Sequence, residues 1–214
     1  MEYFICIAIG YLIGSINPAY LLSKIRGFDI RQRGSGNAGA SNVVIVLGKM
    51  AGLVCALLDI AKVCFVIWLT EFIFPSFVRS FAVTGVSCIL GHIFPFYMHF
   101  RGGKGLACLG GMILMYDWHI FLIMLLSEIV VLVLTQYLCF VPITAAVAFV
   151  VIYGVLNKDL VGILLLAVAA LVITYKHGKN IARIRKGTEA RFFYYLWDKE
   201  KEIERLKQNA GEEA

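Results

Sequence analysis

Seven apolar stretches alternate with short polar ones along this chain, at about 3–24, 51–74, 80–98, 105–117, 118–138, 142–157 and 160–175. Several approach the ~20 residues that a helix needs to cross the hydrocarbon core of a bilayer. Of the 214 residues, 60% are hydrophobic and only 16% charged. A soluble domain of this size could not bury that much apolar surface, so lipid has to solvate part of it. The expected fold is an all-α integral membrane protein of about seven transmembrane helices. The fourth and sixth stretches are short enough to be tilted, broken or partly re-entrant. The first opens Met1-Glu2-Tyr3-Phe4 without a basic n-region, and Gly14-Ser15-Ile16-Asn17-Pro18 follows without a small-x-small cleavage site. It is therefore expected to stay as a span rather than act as a signal peptide. Residues 1–175 form the transmembrane domain on this layout, and 176–214 a basic, amphipathic tail.

The net charge of +6 is unevenly placed. One side of the layout holds Lys24, Arg26, Arg31, Arg33, Lys49, Arg101, Lys104 and the ten basic residues from Lys176 onward, 17 of the 20 Lys and Arg. The other side holds only Arg79 and Lys158, while Lys62 falls within a span. The positive-inside rule then puts the N-terminus outside and the tail in the cytoplasm. The tail alternates its basic residues with Glu189, Asp198, Glu200, Glu202 and Glu204, and carries no recognised nucleic-acid motif. With Phe192, Phe193, Tyr194, Tyr195 and Trp197, it reads as a juxtamembrane anchor on anionic lipid, and nucleic acid is not an expected partner. Cys6, Cys55, Cys64, Cys88, Cys108 and Cys139 are scattered singly. That pattern gives neither a disulfide framework nor a zinc site.

Three polar stretches interrupt the apolar pattern, and all fall on the cytoplasmic side. The first is Gly34-Ser35-Gly36-Asn37-Ala38-Gly39-Ala40-Ser41-Asn42. Plain turns rarely alternate glycine with hydroxyl and amide groups over nine residues. The stretch reads as a backbone nest with side-chain donors for a phosphate or carbonyl oxygen, against the alternative of a glycine-rich return to the membrane. The second runs from Gly91-His92 to Gly102-Gly103-Lys104-Gly105. It is not a Walker A loop, yet glycines before a lysine at a helix N-terminus make an anion site. The alternative is that Arg101 and Lys104 merely snorkel to headgroups. The third places His177, Asn180 and Arg183 on one helical face, and Gly187-Thr188-Glu189 then breaks or caps that helix. An interfacial histidine without a role competes with the functional reading of His177.

Two ionisable features lie inside spans. Asp59 and Lys62 are three residues apart and can pair, as a structural strut or as a substrate contact. Glu128 has no partner visible in the sequence; it is either a neutral core residue or a transport group.

The order and spacing of these motifs resemble the bacterial acyl-phosphate:glycerol-3-phosphate acyltransferases over nearly the whole chain. The resemblance rests on Gly14-Ser15-Ile16-Asn17-Pro18, Gly34 to Asn42, Asp59 to Lys62, Gly91-His92-Ile93-Phe94-Pro95, Phe100-Arg101-Gly102-Gly103-Lys104-Gly105, and His177-x-x-Asn180-Ile181-x-Arg183 with Gly187-Thr188-Glu189. It implies a seven-span enzyme of the bacterial cell membrane with its active site at the cytoplasmic face and no metal or cofactor. Its substrates would be acyl phosphate and glycerol 3-phosphate, and its products lysophosphatidic acid and phosphate, within phospholipid synthesis. The His-x4-Asp pair of acyl-CoA-dependent acyltransferases is missing, since Tyr97 and Lys104 stand five residues after His92 and His99.

On that resemblance the catalytic candidates are Ser35, Lys104, His177 and Asn180. Those expected to bind substrate are Gly34, Gly36, Asn37, Gly39, Ser41, Asn42, His92, Gly102, Gly103, Gly105, Thr188 and Glu189. Lys104 and His177 would bind phosphate charge, Ser35 and Asn37 would hold the acyl-phosphate head, and Asn180 and Thr188 would complete the pocket. No Ser-His-Asp arrangement is present, so direct transfer is expected rather than a covalent acyl-enzyme. The chain departs from the family pattern at Ile45, where an arginine is usual, at Gln136, Cys139 and Pro142 around Tyr137, and at Cys108. The alternatives are a divergent member with another acceptor, or a transporter or binding protein for a phosphorylated metabolite. Against the transporter stand the one-sided motifs and the lack of an internal repeat.

Overall fold

A computed structural model of the chain describes residues 1–211, and it is helical throughout, with no strand among the described residues. Helix α1 (Glu2–Ser15) breaks at Ile16-Asn17 and resumes as α2 (Pro18–Ile25). The break is written in the sequence. Proline fixes the first helical position, and the Asn17 side chain accepts the Tyr20 N–H at 2.8 Å. A loop with one 3₁₀ turn (Ile30–Gln32) leads to α3 (Ala40–Leu47), and Gly48 separates that from α4 (Lys49–Ile73). Then come α5 (Ser80–Ile93), a 3₁₀ turn at Phe96–Met98, and α6 (Leu106–Tyr116). Helices α7 (Trp118–Thr135), α8 (Phe140–Asn157) and α9 (Leu160–Arg185) follow, with α10 (Phe192–Trp197) and α11 (Lys199–Gly211) after them. Asp117 and Asp159 cap α7 and α9 with their carboxylates.

Among the described residues, six segments are long and apolar enough to cross a membrane: Glu2–Ile25, Lys49–Ile73, Ser80–Met98, Trp118–Thr135, Phe140–Asn157 and Leu160–Arg185. The fourth expected span differs. Helix α6 has 11 residues, about 16 Å of helix against a hydrocarbon core of about 30 Å. Left-handed Gly105 trims it at one end and the Asp117 cap of α7 at the other. The sixth stretch is longer than the sequence suggested, because Phe140 and Val141 join it. Helix α9 runs ten residues beyond the apolar stretch and carries His177, Asn180 and Arg183 on its last turns.

The core forms where α4, α5, α6, α8 and α9 meet, around Ile67, Ile89, Ile93, Met112, Phe149 and Ile173. Leucine, isoleucine and valine also cover the outside, with Leu57, Ile123, Leu126, Val151 and Leu171 all exposed. Such an outer face matches a lipid solvent. Helices α1 and α5 pack at backbone contact, because a Cβ on Gly14 would stand 2.2 Å from the Cys88 carbonyl oxygen.

Candidate active site

The second motif is built over a buried ion cluster. Lys62 Nζ lies 2.7 Å from Asp59 Oδ1, and His92 Nδ1 lies 3.2 Å from the same oxygen and 3.1 Å from Lys62 Nζ. The ammonium also donates to the Gly14 and Ile16 carbonyl oxygens at 3.0 and 2.7 Å. The expected Asp59–Lys62 pair is therefore present, and it clasps the α1–α2 break. Above it the chain doubles back, with the Gly102 and Gly103 N–H groups donating to the Ile93 and His92 carbonyls at 3.0 and 3.1 Å. A Cβ on Gly103 would meet His92 Nε2 at 2.0 Å, so glycine there is a steric requirement. His99 and Phe100, with φ of 52° and 58°, are strained non-glycine residues of the kind that gather at functional loops.

Lys104 leaves this loop and donates to Asn180 Oδ1 on α9. Asn180 Nδ2 donates to Glu189 Oε1, and Arg183 Nε donates to Glu189 Oε2 at 2.6 Å. Glu189 reaches back because α9 ends in a Schellman turn: the Thr188 N–H bonds the Arg183 carbonyl at 2.8 Å and the Gly187 N–H the Ile184 carbonyl at 3.0 Å. An ammonium has three donors, and among the described contacts Lys104 commits one of them, to Asn180. Burial holds its pKa below the usual lysine value; Glu189 opposes that shift, while Arg183 and Lys176 add to it. His177 is buried, and its Nδ1 lies 2.8 Å from the Ile173 carbonyl oxygen. A carbonyl only accepts, so Nδ1 carries the proton and Nε2 of the neutral ring keeps a lone pair. Cys139, between α7 and α8, is close enough to Glu189 and Lys104 to feel both charges. Burial first and Glu189 second push its thiol up to about 11, leaving it un-ionised at neutral pH.

The first motif is organised by Asn42, which is fully buried. Its Oδ1 accepts the Ser35 N–H at 2.7 Å, and its Nδ2 donates to the Ile30 and Arg33 carbonyls at 3.0 and 2.9 Å. Asn42 thus shapes the loop. Ser35 and Ser41 stand exposed and Asn37 half-exposed. The loop is tied to the rest of the site through Asn17, whose Nδ2 donates to the Ala38 carbonyl at 2.9 Å. The Tyr97 hydroxyl accepts the Asn17 N–H at 3.2 Å and donates to the Ser15 carbonyl at 2.9 Å. Arg31, held by Asp29 at 2.7 Å, donates from Nη1 to the Met98 carbonyl at 2.7 Å. Backbone and side-chain bonds therefore link the first motif to the second, and Lys104–Asn180 links the second to the third.

A linked set of glycine loops, lysine, histidine and asparagine at one end of a membrane bundle invites comparison with known proteins. A family profile described as Glycerol-3-phosphate acyltransferase matches residues 4–187. The chain belongs to the glycerol-3-phosphate acyltransferase family. Glycerol-3-phosphate acyltransferase 2 of Thermotoga maritima is 36% identical over 182 residues, covering 85% of this chain and 92% of that one. Two crystal structures of PlsY (YgiH), an integral membrane glycerol 3-phosphate acyltransferase, are also similar. Its glycerol 3-phosphate form superposes with a TM-score of 0.83 at 29% identity, and its lysophosphatidic acid form with 0.80 at 28%. Each match covers 92% of this chain and 100% of the other.

Within this acyltransferase the expected site residues divide by what they touch. Lys104, Asn180 and Glu189 are joined by hydrogen bonds. His92 is buried beneath Gly103 with Asp59 and Lys62, Gly105 starts α6, and Thr188 is committed to the end of α9. Gly34 and Gly36 take left-handed turns at φ of 58° and 72°, and Gly39 caps α3. Arg183 belongs to the network although the sequence placed it only on the right helical face. Asn17, Asp29 and Arg31 were also missed as organisers; the signal for Asn17 was its place before Pro18. Asp59, His92 and Cys108 offer ligand atoms within 4.8 Å of one another, but the Lys62 ammonium already supplies the positive charge there. Glu128 gains a partner from the next helix, with Thr144 Oγ1 2.6 Å from its Oε2.

Proposed function

We propose that this chain transfers a fatty acyl group from acyl phosphate to the 1-hydroxyl of glycerol 3-phosphate, giving lysophosphatidic acid and phosphate. The observation that carries it is Lys104, half-buried beside Asn180 and making, among the described contacts, one bond with its three-donor ammonium. Acyl phosphate is already activated and phosphate is a competent leaving group, so the protein has to bind two anions, aim a hydroxyl and stabilise an oxyanion. Lys104 takes the phosphate charge, and the exposed Ser35, with Asn37 and nearby backbone N–H groups, holds the acyl-phosphate head. The acceptor oxygen attacks the acyl carbonyl, the carbon–oxygen bond to phosphate breaks, and phosphate leaves. The hydroxyl proton goes to His177 Nε2 or to the departing phosphate. Transfer is direct, in keeping with the un-ionised Cys139.

An apolar slot of about 80 Å³ begins at Leu106, two residues after Lys104, and continues past Leu109, Ile113, Phe121 and Met124. It suits the first carbons of the acyl chain. The similar PlsY has been solved in forms named for glycerol 3-phosphate and for lysophosphatidic acid, the acceptor and product of this reaction. The same reading places the site at the cytoplasmic face of a bacterial membrane, with the N-terminus outside and α6 as a short seventh crossing. Its support is the one-sided placement of Lys and Arg.

The test is to mix the full-length protein with palmitoyl phosphate and glycerol 3-phosphate and follow phosphate and lysophosphatidic acid together. Equimolar appearance of both is the expected result and shows that Ile45 is tolerated in place of arginine. Phosphate without lipid points to a different acceptor, and neither product sinks the reading.

A further inference from the structure

The family match ends at Gly187, and the chain beyond it folds back onto the third motif. Arg205 on α11 donates from Nη1 to the Gly187 carbonyl and from Nη2 to the Glu189 carbonyl, both at 2.9 Å. Asn209 Nδ2 donates to the Gly187 carbonyl at 2.8 Å. Arg205 is in turn held by Glu202, only 1% exposed, whose oxygens accept from Arg205 Nη2 at 2.6 Å and Nε at 3.0 Å. Glu202 also accepts the Arg191 N–H at 2.7 Å and Arg191 Nη2 at 3.1 Å. The Phe192 N–H donates to the Gln136 carbonyl at 2.7 Å, tying the tail to the α7–α8 turn. That turn holds Gln136 and Cys139, two of the positions where the sequence leaves the family pattern.

A carboxylate removed from water is costly unless its partners are fixed. Here four donors converge on Glu202, and the guanidinium it fixes grips the backbone on either side of Thr188. Arg205 points its donors inward, onto Glu202 and the Gly187–Glu189 backbone. Glu189, whose carbonyl Arg205 holds, is the residue that bonds Asn180 and Arg183.

We propose that Glu202 and Arg205 are positioning residues for acyl transfer, holding the Gly187–Glu189 turn where Glu189 can fix Asn180 and, through it, Lys104. The inference rests on the reading of that site given above. A double-mutant cycle on the full-length enzyme tests it, with Arg205→Met and Glu189→Gln made singly and together, each assayed in vesicles of uncharged and of anionic lipid. Arg205→Met is expected to lower kcat about tenfold alone and less than about twofold in the Glu189→Gln background, because both changes act on one contact. Should Arg205→Met fail to fold, Arg205→Lys carries the same cycle; it keeps the ion pair with Glu202 but cannot bridge two carbonyls. Wild-type kcat in either Arg205 variant, or an equal loss in both backgrounds, overturns the proposal, as does a loss seen only with anionic vesicles. Glu189→Gln at the wild-type rate instead overturns the site reading on which the proposal stands.

Discussion

Two clusters in this molecule are made of nearly the same parts and behave differently. In one, the Asp59 carboxylate sits between Lys62 and His92; in the other, Glu189 sits between Arg183 and Asn180, with Lys104 beyond. Lys62 donates to two backbone carbonyls and lies 2.7 Å from the Asp59 carboxylate, and its side chain is 8% exposed. Among the described contacts Lys104 makes one bond, to Asn180. The first lysine is therefore a strut joining the α1–α2 break to the loop above it, and the second is a charge with capacity to bind something else. Composition does not separate them. Separation comes from how many donors the backbone claims.

The comparison predicts opposite outcomes for loss of charge. Lys104→Met should cut kcat/KM by about 10²–10³-fold, the usual cost of removing one preorganised electrostatic donor. Its thermal midpoint in detergent should be unchanged or higher, since a half-buried ammonium is gone. Asp59→Asn should do the reverse. Removing one partner of a buried pair costs about 3–5 kcal/mol, here by leaving Lys62 and His92 unbalanced, so the midpoint should drop sharply. The fraction that remains folded should keep kcat within about threefold, the mark of a mainly structural contribution. If Asp59→Asn kept its midpoint and lost kcat, the strut would be part of the chemistry and the contrast would collapse.

Much of this was legible in the sequence, unevenly and for physical reasons. Helix type and membrane residence follow from apolar run length, and the Asp59–Lys62 pair follows from i,i+3 spacing. Asn180 and Arg183 were legible as one face of a helix. Spacing said nothing of the acid that joins them, because Glu189 lies beyond the helix end and returns through the Schellman turn. His92 could be picked out but not placed, because burial under Gly103 depends on a hairpin with no periodicity. The tail's basic and aromatic composition did not show that Glu202 and Arg205, three apart on α11, turn inward onto Gly187 and Glu189, because those contacts form only once the chain folds back at the end of α9. Helix α6 was legible as an apolar stretch and as a short one; its exact length was not, because Gly105 and the Asp117 cap of α7 set its two ends.

The smallest effect sharpens the comparison most, because it concerns Lys104 alone. Burial favours the neutral amine, so the folded pKa of Lys104 lies below its ordinary 10.5. If charge on Lys104 is required, activity falls as pH rises through that lowered pKa, and the alkaline limb of kcat/KM begins earlier than for an exposed lysine. Stability moves the other way. Between the folded pKa and 10.5 the unfolded chain binds the Lys104 proton more tightly, so this group's contribution to stability grows with pH. Lys104→Arg keeps its charge to far higher pH and should carry the limb upward, even if its fork lowers the plateau rate. The check is a pH profile of both enzymes beside their thermal midpoints in the same buffers, with Lys104→Met as the reference for stability. An identical limb in Lys104→Arg would assign the titration to another group, and Lys104 would then contribute geometry rather than charge.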